Sequence, residues 1–112
     1  YNNEENRIEL KSAENPDILK YVSFHPKRPK LVVGFAAETD SIEKNAKIKI
    51  VEKNCDLLVA NDISDKNMVF GSHMNSVHIY NKKGLIKKIR RMNKASISKK
   101  ILEDYIYPLL VN

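Results

Sequence analysis

The sequence predicts an α/β fold built on a mainly parallel sheet with an added β-hairpin, and three observations predict it. Two runs of strand length, Leu31-Val32-Val33-Gly34-Phe35-Ala36-Ala37 and Asp56-Leu57-Leu58-Val59-Ala60-Asn61-Asp62, are apolar through their middles, as strands covered on both faces are. Between them, Ser41 to about Lys53 reads as a helix, so strand, helix and strand form a βαβ unit with an expected right-handed crossover. Downstream, Ser76 to Tyr80 and Leu85 to Arg90 flank Asn81-Lys82-Lys83-Gly84, which reads as a hairpin.

The remaining elements follow from local chemistry. Residues 1–14 are polar and Asn-rich, with weak alternation from Arg7 to Lys11, and are expected to be an edge strand or flexible. Asn15-Pro16-Asp17 starts a short helix reaching about Phe24, because Pro fits a first turn and Asn or Asp accepts the free N–H groups there. His25-Pro26-Lys27-Arg28-Pro29 is a loop, since its two prolines break both helix and strand pairing. Asp40 and Glu43 have capping-box spacing for the helix that follows. Ile97, Ile101, Tyr105 and Leu109 recur at helical spacing, so a C-terminal helix should lay one face on the sheet. The whole reads as a three-layer, Rossmann-like α/β unit. It starts at Tyr1 and lacks the Gly-rich strand-to-helix turn that opens such domains, so it is expected to be part of a longer one.

Composition narrows the function classes. A chain of 112 residues, 42% hydrophobic, builds one core and not two. A formal charge of +6 favours an anionic partner: nucleotide, phosphorylated metabolite, nucleic acid or acidic membrane. The lone Cys55 excludes an internal disulfide framework and a cysteine-built zinc site, and reads as a buried inert thiol. The single cysteine fits a reducing cytoplasm, the expected location; no apolar run nears the roughly 18 residues of a membrane span and no secretory leader is visible. His25, His73 and His78 lack ligand spacing, and no metal is assigned to them.

Ligands of open parallel sheets gather outside the carboxyl ends of the strands, where helix N-termini and loops offer unpaired N–H groups. Two polar clusters fall at that edge, Ala36-Ala37-Glu38-Thr39-Asp40 and Asn61-Asp62. Small residues at 36 and 37 either let a planar ligand approach the backbone or only permit tight strand–helix packing. Lys49 and Lys53, four apart, stack their ammonium groups on one helix face. A triphosphate would relieve their repulsion, while the commoner alternative is a solvated basic face helped by Glu52. On the functional reading the two lysines face the same pocket as the small-residue bend. Lys82 to Lys100 holds nine Lys or Arg and no acid, a nucleic-acid-like signal that lacks interleaved aromatics for base stacking. A charged hairpin and helix surface, or a dimer rim, is the simpler reading.

The run VVGFAAETD from Val32, the run AKIKIVEKNCDLLVAND from Ala46 to Asp62, Phe70 and Asn75 within VFGSHMNSV, and NPDIL at Asn15 to Leu19 stand in one order and spacing. Together they resemble the second half of the bacterial phosphopantothenate-cysteine ligases (phosphopantothenoylcysteine synthetases), part of the bifunctional coenzyme A biosynthesis flavoproteins. The resemblance implies an enzyme that uses CTP and Mg2+ to turn the carboxylate of 4'-phosphopantothenate into an acyl-cytidylate, from which the amine of cysteine displaces CMP. By position it implies that Pro16, Asp17, Ile18, Leu19 and Phe35 help bind the nucleotide and that Lys49 and Lys53 hold its phosphates. Ala36 and Ala37 would lie against the cytosine, Asn61 and Asp62 would line the same edge, and Phe70 would close over the site, with Lys49 and Asn61 catalytic. The family's Gly-rich phosphate region and its K-x-K-K motif have no counterpart in this chain, which alone is therefore expected to be inactive or badly impaired. FMN belongs to a decarboxylase domain fused to many of these ligases, of which the chain shows nothing. Val77 to Arg90 resembles the hairpin through which the family's subunits pair, implying a homodimer. The alternatives are a basic nucleic-acid-binding module and a noncatalytic dimerisation domain.

Overall fold

The computed structural model describes residues 17–64 and 74–111. The N-terminal tail, Pro16, Phe70 and His73 lie outside the described residues. Asp17 caps α1 (Ile18–Phe24), its Oδ1 accepting from the Lys20 N–H at 3.0 Å. The two apolar runs become β1 (Val33–Glu38) and β2 (Leu57–Asp62), joined by α2 (Ile42–Glu52) and paired in parallel from Val33 with Leu57 to Glu38 with Asp62. β3 (Met74–Asn81) and β4 (Gly84–Asn93) add to β2 as an antiparallel hairpin, giving the order β1-β2-β3-β4. The sheet is thus mixed, with parallel pairing confined to β1 and β2 among the described residues.

Alternating side chains divide the core between two faces. On one, Leu58, Ala60 and Tyr80 lie under Ala46 and Ile50 of α2, with Cys55 and Leu19 of α1 filling the flank. On the other, Leu57, Val59, Val77, Ile79 and Ile89 lie under Ile97 and Ile101 of α3 (Lys94–Ile101). The three expected layers are therefore present. Arg28 ties the loop after α1 to the turn before β2, donating to Ser23 O at 2.8 Å, Asn54 O at 3.0 Å and Asp56 Oδ2 at 3.2 Å.

The hairpin closes on Asn81, whose Oδ1 accepts from the N–H groups of Lys83 at 2.8 Å and Gly84 at 3.2 Å. Gly84 takes φ +135°, a conformation that side chains rarely adopt. Further along β4 the pairing shifts register, and Arg91 at φ 47° donates its N–H to Ser76 Oγ at 3.1 Å. The strand runs straight into α3, capped by Asn93 Oδ1 on the Ser96 N–H at 2.8 Å. Asn93→Ala should lower stability by about 1 kcal/mol in chemical denaturation.

Two local expectations are corrected. The Asp40–Glu43 capping box does not form: Ser41 is the N-cap in a left-handed conformation, φ 45°, with no side-chain cap bond, and Glu43 instead pairs with Lys47 at 2.9 Å. The C-terminal helix does not hold one face to Leu109. It passes through a π-helical turn, Leu102–Ile106, into α4 (Tyr107–Leu110). Pro108 has no N–H for the Asp104 carbonyl and its ring would strike that carbonyl, so the helix widens there. The change of phase keeps Tyr105 against the core and leaves Leu109 exposed.

Candidate functional site

The register that pairs Ala37 with Asn61 and Glu38 with Asp62 puts both polar clusters at one edge, the carboxyl ends of the parallel strands. Alternation then sends their side chains to opposite faces. On the α3 face a cleft of about 410 Å³ is lined by Phe35, Ala36, Ala37 and Asn61. Its floor includes Val59 and Val77, and Asn75, Lys94 and Ser98 supply polar groups from β3 and α3. The small side chains of Ala36 and Ala37 keep it open, and the Phe35 ring, 70% exposed, is free for stacking. Asn61 Oδ1 is buried and accepts no hydrogen bond from the described residues. Such an acceptor costs free energy until a donor reaches it.

The α2 face of the same edge is charged. Glu38, 6% exposed, accepts from Asn45 Nδ2 at 3.2 Å and forms an ion pair with Lys49. One helical turn further on, Lys53 Nζ lies 3.0 Å from Asp17 Oδ2. The Lys20 backbone N–H, followed by the Lys53 ammonium, outweighs desolvation and holds the Asp17 carboxyl below the ordinary carboxylate range. Each lysine thus has a carboxylate of its own, supplied by a different element, and this removes the repulsion expected of two neighbouring ammonium groups.

The two lysines do not open into the cleft, contrary to the shared pocket expected from their spacing. α2 is the crossover helix and covers the face carrying Gly34 and Glu38, whereas Phe35, Ala37 and Asn61 point to the α3 face. Lys49 nonetheless reaches the end of β1 through Glu38, on the face opposite the cleft, while Lys53, the C-cap of α2, pairs with Asp17 nearer the start of β2. Leu19 fits against Gly34 in the α2 layer and Ile18 is exposed. Asp62 is buried, its Oδ1 accepting from the Ser64 N–H at 2.9 Å and its Oδ2 lying 3.9 Å from His78 Nε2. Cys55 is fully buried and burial pushes its thiol up, which keeps it inert.

Glu38 falls in the polar cluster at the end of β1, but nothing in the sequence pairs it with Lys49 or with Asn45, which donates to it. Lys94 and Ser98 did carry a signal: with Ile97 and Ile101 they occupy positions three and four apart, the polar border of an apolar stripe. Among the described residues no three His, Cys, Asp or Glu side chains gather to hold a metal, and no helix is long and apolar enough to cross a membrane.

Comparison with known proteins places this architecture. The family model described as DNA/pantothenate metabolism flavoprotein C-terminal domain matches residues 1–107. The coenzyme A biosynthesis bifunctional protein CoaBC of Borreliella burgdorferi is 35% identical over 102 residues, covering 90% of this chain and 25% of that protein. Its counterpart in Bacillus subtilis is 40% identical over 97 residues, covering 87% of this chain and 23% of that protein. The chain thus spans about a quarter of the length of these relatives. A crystal structure of the C-terminal domain of a CoaBC protein superposes with a TM-score of 0.68 at 30% identity, over 88% of this chain and 46% of that one. The relatives are coenzyme A biosynthesis proteins, a matching solved structure is the C-terminal domain of such a protein, and this chain belongs to the DNA/pantothenate metabolism flavoprotein C-terminal domain family.

Proposed function

We propose that this chain is the nucleotide-binding part of a cytoplasmic phosphopantothenate-cysteine ligase, working with the rest of its domain and as a homodimer paired through the β3–β4 hairpin. The observation that supports the reading is that the open cleft and the Glu38-bound Lys49 flank the carboxyl ends of β1 and β2 from opposite faces, with Lys53 one helical turn from Lys49. The cytosine of CTP lies in the cleft against Ala36 and Ala37, with Phe35 at its rim. The triphosphate passes over the strand ends, flanked by Asp62, towards Lys49 and Lys53. Each ammonium has three N–H donors and its carboxylate occupies one, so phosphate oxygens can share the rest. The segment ending in Asp17, Ile18 and Leu19 carries α1 and brings Asp17 to Lys53.

In the reaction a carboxylate oxygen of 4'-phosphopantothenate attacks the α-phosphorus, the bond to pyrophosphate breaks, and the amine of cysteine then attacks the acyl carbon and expels CMP. Lys49 and Lys53 stabilise the charge gathering on the departing pyrophosphate. Asn61, beside the strand ends, orients the attacking carboxylate. Magnesium would come with the triphosphate and neutralise part of its charge; no three His, Cys, Asp or Glu side chains gather among the described residues, and no step is assigned to it.

The basic β4 surface has a simpler account than nucleic-acid binding. Among the described residues Lys87, Lys88 and Arg90 are exposed on the outermost strand, the charged surface or rim of the hairpin. Calorimetric titration tests the main reading. CTP should bind this chain, and Lys53→Ala should weaken it at least about tenfold, the loss of one charge-assisted phosphate contact. CTP binding no tighter than inorganic phosphate would refute it.

A further inference from the structure

The lysine pair meets two carboxylates before it meets any ligand. Glu38 comes from the end of β1 and is almost wholly buried, and Asp17 comes from the cap of α1. Asn45 Nδ2 donates to Glu38 at 3.2 Å and the Lys20 N–H donates to Asp17 at 3.0 Å. Both carboxylates are thereby anchored independently of the lysines they face, which marks them as fixed counter-charges rather than mobile surface partners.

We infer that Asp17 and Glu38 are specificity-setting residues that hold the phosphate subsite near zero net charge, so that phosphates alone bind weakly and a complete nucleotide is needed to occupy it. This rests on the nucleotide-binding reading above. Two ammonium groups balanced by two carboxylates offer an incoming polyphosphate little long-range attraction; what remains is the spare N–H donors at close range. A ligand that also fills the cleft on the other face gains the contact free energy that pyrophosphate lacks. The same balance lets pyrophosphate leave once it is cut from the nucleotide, because the base no longer tethers it. Asp17 and Glu38 act through Lys53 and Lys49 and need touch no reacting atom.

The test is calorimetry on the full chain with two probes, CTP and inorganic pyrophosphate, across a range of salt concentrations. Asp17→Asn keeps a side chain that caps α1 while removing the charge, and Glu38→Gln keeps an acceptor for Asn45. Each variant should bind pyrophosphate about threefold to tenfold tighter than the parent with a steeper salt dependence, and the ratio of CTP to pyrophosphate affinity should shrink. A merely structural role would leave pyrophosphate affinity unchanged or lower it. Should Glu38→Gln unfold, the exposed Asp17→Asn decides alone. If CTP binds the parent and pyrophosphate affinity does not rise in a folded variant, this inference falls and the nucleotide reading stands; if neither probe binds parent or variants, both fall.

Discussion

Lys49→Ala should cost about 2–3 kcal/mol of folding stability, a drop in Tm of about 10 °C, before any ligand is considered. The reason lies in its partner. The Glu38 side chain is 7% exposed, and removing Lys49 leaves a carboxylate in the α2 layer with only Asn45 to answer it. Fully buried pairs lose about 3–5 kcal/mol when broken; the figure is reduced here because Lys49 itself is 35% exposed and water solvates part of the pair. Replacing both partners, Lys49→Met with Glu38→Leu, should recover most of the loss, since no charge is then stranded. Asn45 keeps the Asp40 carbonyl as acceptor at 3.2 Å in that double variant. Thermal unfolding of the two singles and the double measures the coupling; a single variant as stable as the parent would refute the buried-pair account. Any loss of CTP binding in Lys49→Ala must be read against this change in stability, which is why Lys53 is the cleaner probe of binding.

Gly34→Val should destabilise the chain by about 3 kcal/mol and loosen α1 at the same time. A Cβ at Gly34 would stand 2.8 Å from Leu19 Cδ2, 3.0 Å from Cys55 Sγ and 3.1 Å from Leu58 Cδ1. The Leu19 methyl can turn aside, but Cys55 and Leu58 sit in a filled core, so a branched side chain has to push α1 off the sheet. Gly34→Ala should show a smaller loss, and adding Leu19→Ala should relieve part of it, giving a favourable coupling in a double-mutant cycle. Because Asp17 rides on α1, Gly34→Val should also part Asp17 from Lys53. Denaturant titration of the series checks the energies, and a Gly34→Val protein as stable as the parent would show that α1 does not dock as described.

Much of this fold was legible in the sequence because its signals are local. The runs around Val33 and Leu58, the capping Asp17 and the Asn81-to-Gly84 turn each encode their conformation within a few residues. The failures have a common cause in tertiary phase. The box at Asp40 and Glu43 lost to the left-handed turn at Ser41, and the stripe ending at Leu109 lost its phase at Pro108. The cleft's position at the strand ends followed from the strand boundaries, and Ala36, Ala37 and Asn61 do line it. Which carboxylate meets which lysine did not follow, since Glu38 lies eleven residues from Lys49 and Asp17 lies far from Lys53 along the chain. Such pairings arise only when α2 settles against the end of β1 and beside α1.

The alternation along β1 makes strand alignment a form of proofreading. Were β1 to slide by a single residue against β2, the Phe35 ring would be driven into the tightly filled α2 layer and the Glu38 carboxylate turned towards the greasy hollow under α3. Both displacements are costly, so a misaligned chain would be unstable and chemically mute together. Selection acting on either property therefore guards the other.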